Sequence, residues 1–243
     1  MTSTPHFGSQ FKRVLLKLSG EAMAGEQAVG FDPVVIDRYA TEIAAAKNDL
    51  GVEIAVVVGG GNIWRGATHS EMDRAQADYA GMLATVINGL ALQSALERRG
   101  EVVRVMSAID IDRVCELFIR RRAIRHMEKG RIPILVAGTG NPYFTTDTTA
   151  TLRAIELDCD ALYLAKNKVP GVMDKDPREH DDAIKIDSMG FMDLLTNGLG
   201  VMDATAATLA LDNKLTMVVF DGNKPGGFEE VLVDPTVGTV ISD

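Results

Sequence analysis

The stretch that most constrains this chain is Glu53–Val58, EIAVVV, which runs without a break into Gly59-Gly60-Gly61. A strand apolar on both faces has to be covered on both faces, which is the habit of parallel sheets in α/β proteins. Three glycines at its end remove every side chain, so that backbone N–H groups can converge on an anion. Arg65 follows four residues after Gly61 and offers a charge-assisted, bidentate contact. Tight turns also use glycine runs, so the run alone has a plain structural reading.

The rest of the chain alternates in the same manner. Val14–Leu18, Val102–Met106, Ile132–Ala137, Ala161–Ala165, Leu215–Phe220 and Thr239–Ile241 read as strands. Asp32-Pro33 reads as the N-cap and first residue of a helix carrying Ile36, Tyr39, Ile43, Ala46 and Leu50 on one face, stopped by Gly51. A long helix places Tyr79, Met82, Leu83, Val86, Leu90 and Ala91 on one face, and Gly100 stops it. Further helices are expected at Leu117–Lys129, Asp147–Leu157, Met189–Thr196, Ala204–Asn213 and Gly227–Val233. The pattern predicts an α/β fold, a three-layer αβα sandwich around a mostly parallel central sheet. Residues 1–10 read as a flexible polar tail and 11–243 as a single domain, since no linker, low-complexity block or repeat interrupts them.

Composition narrows the function classes. Asp and Glu total 34 against 25 Lys and Arg, a formal charge of −9, which argues against a general nucleic-acid binder. The longest aliphatic run, Ile54–Val58, is far short of a membrane span, and the N-terminus has no stretch of signal-peptide length, so a cytoplasmic protein is expected. Cys115 and Cys159 lie in apolar segments without metal spacing and read as small core residues. His6, His69, His126 and His180 are isolated from one another.

Ligands of such sheets sit beyond the carboxyl ends of the strands. Lys17 lies inside an apolar strand just before Ser19-Gly20; it reads either as an edge lysine reaching water or as a cation aimed at a phosphate. The segment 138–147, GTGNPYFTTD, supplies hydroxyls, an amide and an aromatic pair before a helix N-terminus, with Thr146 or Asp147 as candidate N-cap. Asp203 reads as an N-cap, or as a carboxylate that orients Lys17 or a metal. Lys166-Asn167 ends a strand and leads into the turn-rich 169–182, either a turn cluster or a pocket wall for a base or ribose. Arg120, Arg121, Arg122, Arg125 and Arg131 form the one basic concentration, a solvated helix face or a place for an anionic effector or subunit. Neither GxGxxG nor GxxxxGK[ST] occurs, which argues against the dinucleotide fold and the P-loop kinase fold.

Taken in order, KLSGE (17–21), GGGNIWRG (59–66), DYAGMLATVINGLAL (78–92), AGTGNPYFTTDT (137–148) and VMDATAATLALDN (201–213) resemble the bacterial UMP kinases of the amino acid kinase superfamily. The likeness spans essentially residues 11–243. Acetylglutamate and aspartate kinases share the fold but lack the GTGNPxFTTD loop and the DYxGMLATxxN helix. The resemblance implies magnesium-dependent transfer of the ATP γ-phosphoryl group to UMP, giving UDP and ADP, in de novo pyrimidine nucleotide biosynthesis. It assigns Lys17, Leu18, Ser19, Gly20, Gly61, Arg65, Asn167, Met173 and Asp176 to ATP. It assigns Gly60, Asp78, Thr139, Gly140, Asn141, Pro142, Tyr143, Phe144, Thr145 and Thr146 to UMP. Lys17, Arg65, Asp203 and Lys166 become the catalytic set, with Asp203 orienting Lys17. The Mg²⁺ is expected on the ATP phosphates rather than on a protein ligand cluster.

The resemblance further implies a homohexamer, activated by GTP through Gly25, Glu26, Gln27, Ala28, Val29, Gly30, Arg104 and Arg131, and inhibited by UTP, with no nucleic-acid or membrane partner. Two other effector positions carry Gln93 and Glu97 here. Where the family has Val-Asp-Gly-Val-Tyr, this chain has Val169-Pro170-Gly171-Val172-Met173; Met173 can pack on adenine by dispersion but cannot stack as a ring. Two other readings are a kinase for another small acid on the same fold and a non-catalytic nucleotide-binding or storage oligomer.

Overall fold

A computed structural model describes residues 11–27, 29–65, 72–175, 180 and 182–242. Its first half runs β1 (Arg13–Leu18), α1 (Gly20–Met23), α2 (Pro33–Leu50), β2 (Glu53–Val58), α3 (Arg74–Glu97), β3 (Val103–Ser107), β4 (Glu116–Leu117), α4 (Arg120–Glu128) and β5 (Ile132–Val136). The second half runs α5 (Thr146–Glu156), β6 (Ala161–Lys166), β7 (Ser188–Met189), α6 (Phe191–Thr196), α7 (Ala204–Asp212), β8 (Thr216–Asp221), α8 (Gly227–Val233) and β9 (Thr239–Ile241). The tail assigned to residues 1–10 lies outside the described residues.

Local signals set these boundaries. The Asp32 side chain accepts from Val34 N, Pro33 opens α2, and Gly51 closes it in the left-handed region at φ 67°. α4 starts at Arg120 rather than Leu117, because Glu116 and Leu117 pair with Met106 and Ser107 as a short strand. Among the described residues, nine strands form one sheet in the order β4-β3-β5-β2-β1-β6-β8-β9-β7, and of these strand pairs only β8 with β9 is antiparallel. The α/β expectation therefore holds, with a mostly parallel sheet.

Alternation along the strands divides the core in two. Val14, Leu16 and Leu18 of β1 face a cluster with α2, α3 and α8. Leu15 faces the other cluster, with α4, α5, α6 and α7. Each fully buried Leu, Ile or Val contributes roughly 1.5–3 kcal/mol by leaving water, so both covers are needed to hold the sheet.

α3 departs from the expected face. Met82 and Val86 are buried, but Tyr79 and Leu83 are 44% and 51% exposed. With Met82 and Val86, the buried side is made by Ala77, Ala84, Thr85, Asn88, Gly89, Leu92, Ala95 and Leu96. Small residues let α3 approach the loop after β2 and the end of β5: a Cβ on Gly60 would lie 2.7 Å from Gly81 O, and one on Gly89 2.5 Å from Val136 Cγ1. α3 is also the one described helix long and apolar enough to cross a membrane, yet half of its apolar window is buried inside the protein, as in a core helix.

Candidate active site

The site begins with a buried cation. β1 is central, between β2 and β6, so Lys17 cannot be an edge residue; it is 6% exposed. A charge at that depth needs a partner. Asp147, in the first turn of α5, supplies it: Lys17 Nζ lies 2.7 Å from Asp147 Oδ1, and Lys166 Nζ, at the end of β6, lies 2.8 Å from Oδ2. Lys166 donates a directed hydrogen bond, whereas Lys17 approaches off that direction and the contact is an ion pair. Burial alone would raise the Asp147 pKa; the two ammonium groups outweigh it and hold the carboxyl at about 2. Burial lowers the Lys166 pKa, and the negative charge of Asp147 opposes that shift.

The assignment of Asp203 to Lys17 needs correction. Asp203 caps α7 through Ala206 N, and its oxygens accept from Thr145 Oγ1 at 2.5 Å and Thr148 Oγ1 at 2.8 Å. It fixes the start of α5, while Asp147 on that turn holds the lysine. The N-cap of α5 is Thr145, which frees Asp147 for this pairing.

The loops after β1 and β2 meet backbone to backbone. A Cβ on Gly20 would lie 2.6 Å from Asn62 Oδ1 and 2.7 Å from Gly61 N. Arg65 is brought to the first loop by an ion pair with Glu21. Lys17 and Arg65 therefore belong to one end of the sheet. The Ser19 hydroxyl makes no cap hydrogen bond to α1.

A cleft of about 150 Å³ opens between the glycine loop and the loop after β5. Gly60, Gly61 and Asp78 line it on one side, and Thr139, Asn141, Phe144, Thr145 and Thr146 on the other. Of the expected UMP residues, Gly140, Pro142 and Tyr143 do not line it. Gly140 turns at φ 82° against Ala108, and Tyr143, at φ 72° and 65% exposed, lies under Arg74. Asp78 accepts from Tyr143 N at 2.8 Å and from Arg74 Nε. Trp64, Met82, Thr85 and Thr149 line the cleft without having been singled out from sequence.

Neither Asn167 nor Met173 lines this cleft. Asn167 accepts from Asn223 Nδ2 at 2.7 Å, and Met173 bridges to Lys185. Asp176 and Ala28 lie outside the described residues.

The expected effector residues do not form one site within a chain. Gly30 exchanges hydrogen bonds with Asn62 at the carboxyl end of the sheet. Arg104 and Arg131 sit at the opposite end, beside Pro133 and Ile132. There Arg104 pairs with Glu116 at 3.4 Å, and Arg131 donates to His126 Nδ1.

Among the described residues, no three His, Cys, Asp or Glu side chains gather as a metal site. Magnesium characteristically keeps waters and binds through one or two carboxylates plus substrate phosphates.

The family model described as amino acid kinase family matches residues 12–221. Among solved structures, the UMP kinase from Bacillus anthracis is 39% identical, covers 96% of each chain and superposes with a TM-score of 0.92. The UMP kinase from Ureaplasma parvum is 37% identical over 96% of this chain and 99% of its own, with a TM-score of 0.91. The uridylate kinase from Archaeoglobus fulgidus is 26% identical over 94% and 99%, with a TM-score of 0.71.

Proposed function

The chain belongs to the amino acid kinase family, and we propose that it transfers the γ-phosphoryl group of ATP to UMP, giving UDP and ADP. The observation that carries this reading is the Lys17–Asp147–Lys166 cluster at the strand ends, one residue from Thr146 in the cleft wall. Phosphoryl transfer asks for little covalent chemistry and much placed positive charge. Lys17 and Lys166 offer that charge, and Asp147 fixes both without their competing for a position. Gly60 and Gly61 offer neutral donors, and Arg65 a third cation on the same side. The hydroxyls of Thr139, Thr145 and Thr146, with Asn141 and Asp78, provide the mixed donors and acceptors that a ribose and a pyrimidine need. Asn167, Met173 and Asp176 carry the ATP base and ribose in this reading.

Magnesium fits as an ion brought by ATP, because the three site carboxylates, Asp78, Asp147 and Asp203, are committed to an arginine, lysines, hydroxyls and backbone amides. Its part is to neutralise phosphate charge. The same reading gives a cytoplasmic homohexamer in pyrimidine nucleotide synthesis, with GTP as activator and UTP as inhibitor. The exposed stripe Tyr79, Leu83 and Ile87 at i, i+4 and i+8 of α3 supports a subunit contact, which light scattering tests.

A coupled assay of ADP release with ATP and either UMP or CMP decides the function. Turnover with UMP is expected. No release with UMP, from protein that still binds ATP, favours the non-catalytic binding module instead.

A further inference from the structure

The glycine loop supplies two backbone donors, and only one of them is aimed by the loop itself. The N–H groups of Gly60 and Gly61 make no hydrogen bond within the described residues. Buried or cleft-facing backbone donors without partners are uncommon and call for an explanation. Every peptide among the described residues is trans, so each C=O points opposite to the N–H of the same unit. Whatever holds a loop carbonyl inward therefore turns the next amide outward.

The carbonyl ahead of Gly61 is held locally, since Gly60 O accepts from Ile63 N and Trp64 N at 3.0 Å each. The carbonyl ahead of Gly60 is held from elsewhere. Gly59 O accepts from Asn88 Nδ2 at 2.7 Å, and Asn88 lies on α3, 0% exposed and 29 residues on. Its remaining groups are taken by one partner: Asn88 Nδ2 donates to Asn62 Oδ1 at 2.7 Å, and Asn62 Nδ2 returns to Asn88 Oδ1 at 3.1 Å. Asn62 then continues to Gly30 O at 2.7 Å. An asparagine is a poor helix former, and a buried amide is costly unless every group is matched. All of Asn88's groups are matched, and one match is the carbonyl that decides where the Gly60 amide points.

The geometry points to Asn88 as a positioning residue: it pulls Gly59 O inward and so aims Gly60 N–H across the cleft at the phosphate of the acceptor nucleotide. This inference rests on the UMP reading above, and deepens it by naming what orients the phosphate donor. Asn88 touches no substrate. Its partner Asn62 extends the same hold to the loop at Gly30.

The test compares the affinities of UMP and uridine, which differ only in the phosphate, for wild type and for Asn88→Leu, a near-isosteric change. Wild type is expected to prefer UMP. In the variant that preference should fall by about tenfold or more, the scale of one hydrogen bond to a charged group, with uridine affinity little changed. A folded variant that keeps the full preference overturns the inference and leaves the UMP reading standing. A wild type that binds both equally overturns the UMP reading, and this inference with it. A loss confined to general stability would move both ligands together and also counts against Asn88. A second readout needs no variant: in ¹⁵N-labelled wild type, the Gly60 amide should shift with UMP and not with uridine. A Gly60 resonance unmoved by UMP overturns the inference even if Asn88→Leu does not fold.

Discussion

The two loops that face each other across the cleft follow adjacent strands, β2 and β5, yet they are built on opposite plans. The glycine loop has no side chains at positions 59–61 and is held by a carbonyl, Gly59 O to Asn88. The threonine loop is dense in side chains and is held by an amide, Ala137 N to Thr85 Oγ1 at 2.7 Å. Thr85 and Asn88 sit one turn apart on α3, so a single helix holds both. Taking a carbonyl leaves amides for the cleft, which suits an anion. Taking an amide leaves recognition to hydroxyls and carboxamides, which donate and accept and suit a base and sugar. The lesson is that the helix packed against a site sets the polarity of each loop by which backbone group it occupies.

The largest expected effect tests whether cations matter more than either loop. Lys17→Met should lower kcat by about 10²–10³, on the scale of one preorganised donor. Near-normal turnover would remove Lys17 from the chemistry. Asp147→Asn comes next, because it leaves Lys17 and Lys166 without their shared carboxylate. Stability should fall by about 3–5 kcal/mol in urea melts at neutral pH, with kcat reduced as well. The pH dependence has a definite sign. The Asp147 pKa is depressed from 3.8 to about 2, so its contribution of about 2 kcal/mol is complete above about pH 4 and is lost as pH falls through 2. The gap between wild type and Asp147→Asn should narrow over that interval, and a gap of the same size at pH 7 and pH 2.5 would refute the pairing as its source.

Thr85→Val sharpens the contrast between the loops. It strands the buried Ala137 N–H, which should cost about 1–3 kcal/mol, and it should weaken UMP and uridine alike. A selective loss of UMP would mean that the two loops act as one unit. The smallest effect is expected from Arg74→Ala. Arg74 is exposed, pairs with Asp78 at i, i+4 and lies 5.6 Å over the Tyr143 ring. Stability should change by about 0.5 kcal/mol or less, with a few-fold rise in the KM for UMP. A larger rise would give the threonine loop an external clamp of its own.

Much of this was legible along the chain. The strand into Gly59, the Asp32-Pro33 start of α2 and the Gly51 stop are local events, decided by residues a few positions apart. Lys17 stood out for the same reason, as a charge within an apolar strand. Its partner did not: Asp147 lies 130 residues away and looked like a cap, and the cap proved to be Thr145. Asn88 carried a faint signal, an amide inside the apolar run ATVINGLAL, but periodicity placed Tyr79 and Leu83 on the buried face beside Met82 and Val86, which alone of those four are buried. Tyr79 and Leu83 are larger and more apolar than Ala77, Ala84, Thr85, Asn88 and Gly89, which are buried in their place, and hydrophobicity alone favoured them.

The sequence by itself determined the long strands and helices, where the glycines and hydroxyls fall, and that they gather at one end of a parallel sheet, but not the short strands β4 and β7. These follow from short-range sterics and side-chain alternation. Only the tertiary structure decided that Asp147 rather than Asp203 holds Lys17, and that small residues bring α3 against the loop after β2 and the end of β5. Such choices depend on distances between groups far apart in the chain, and those distances exist only once the layers have packed.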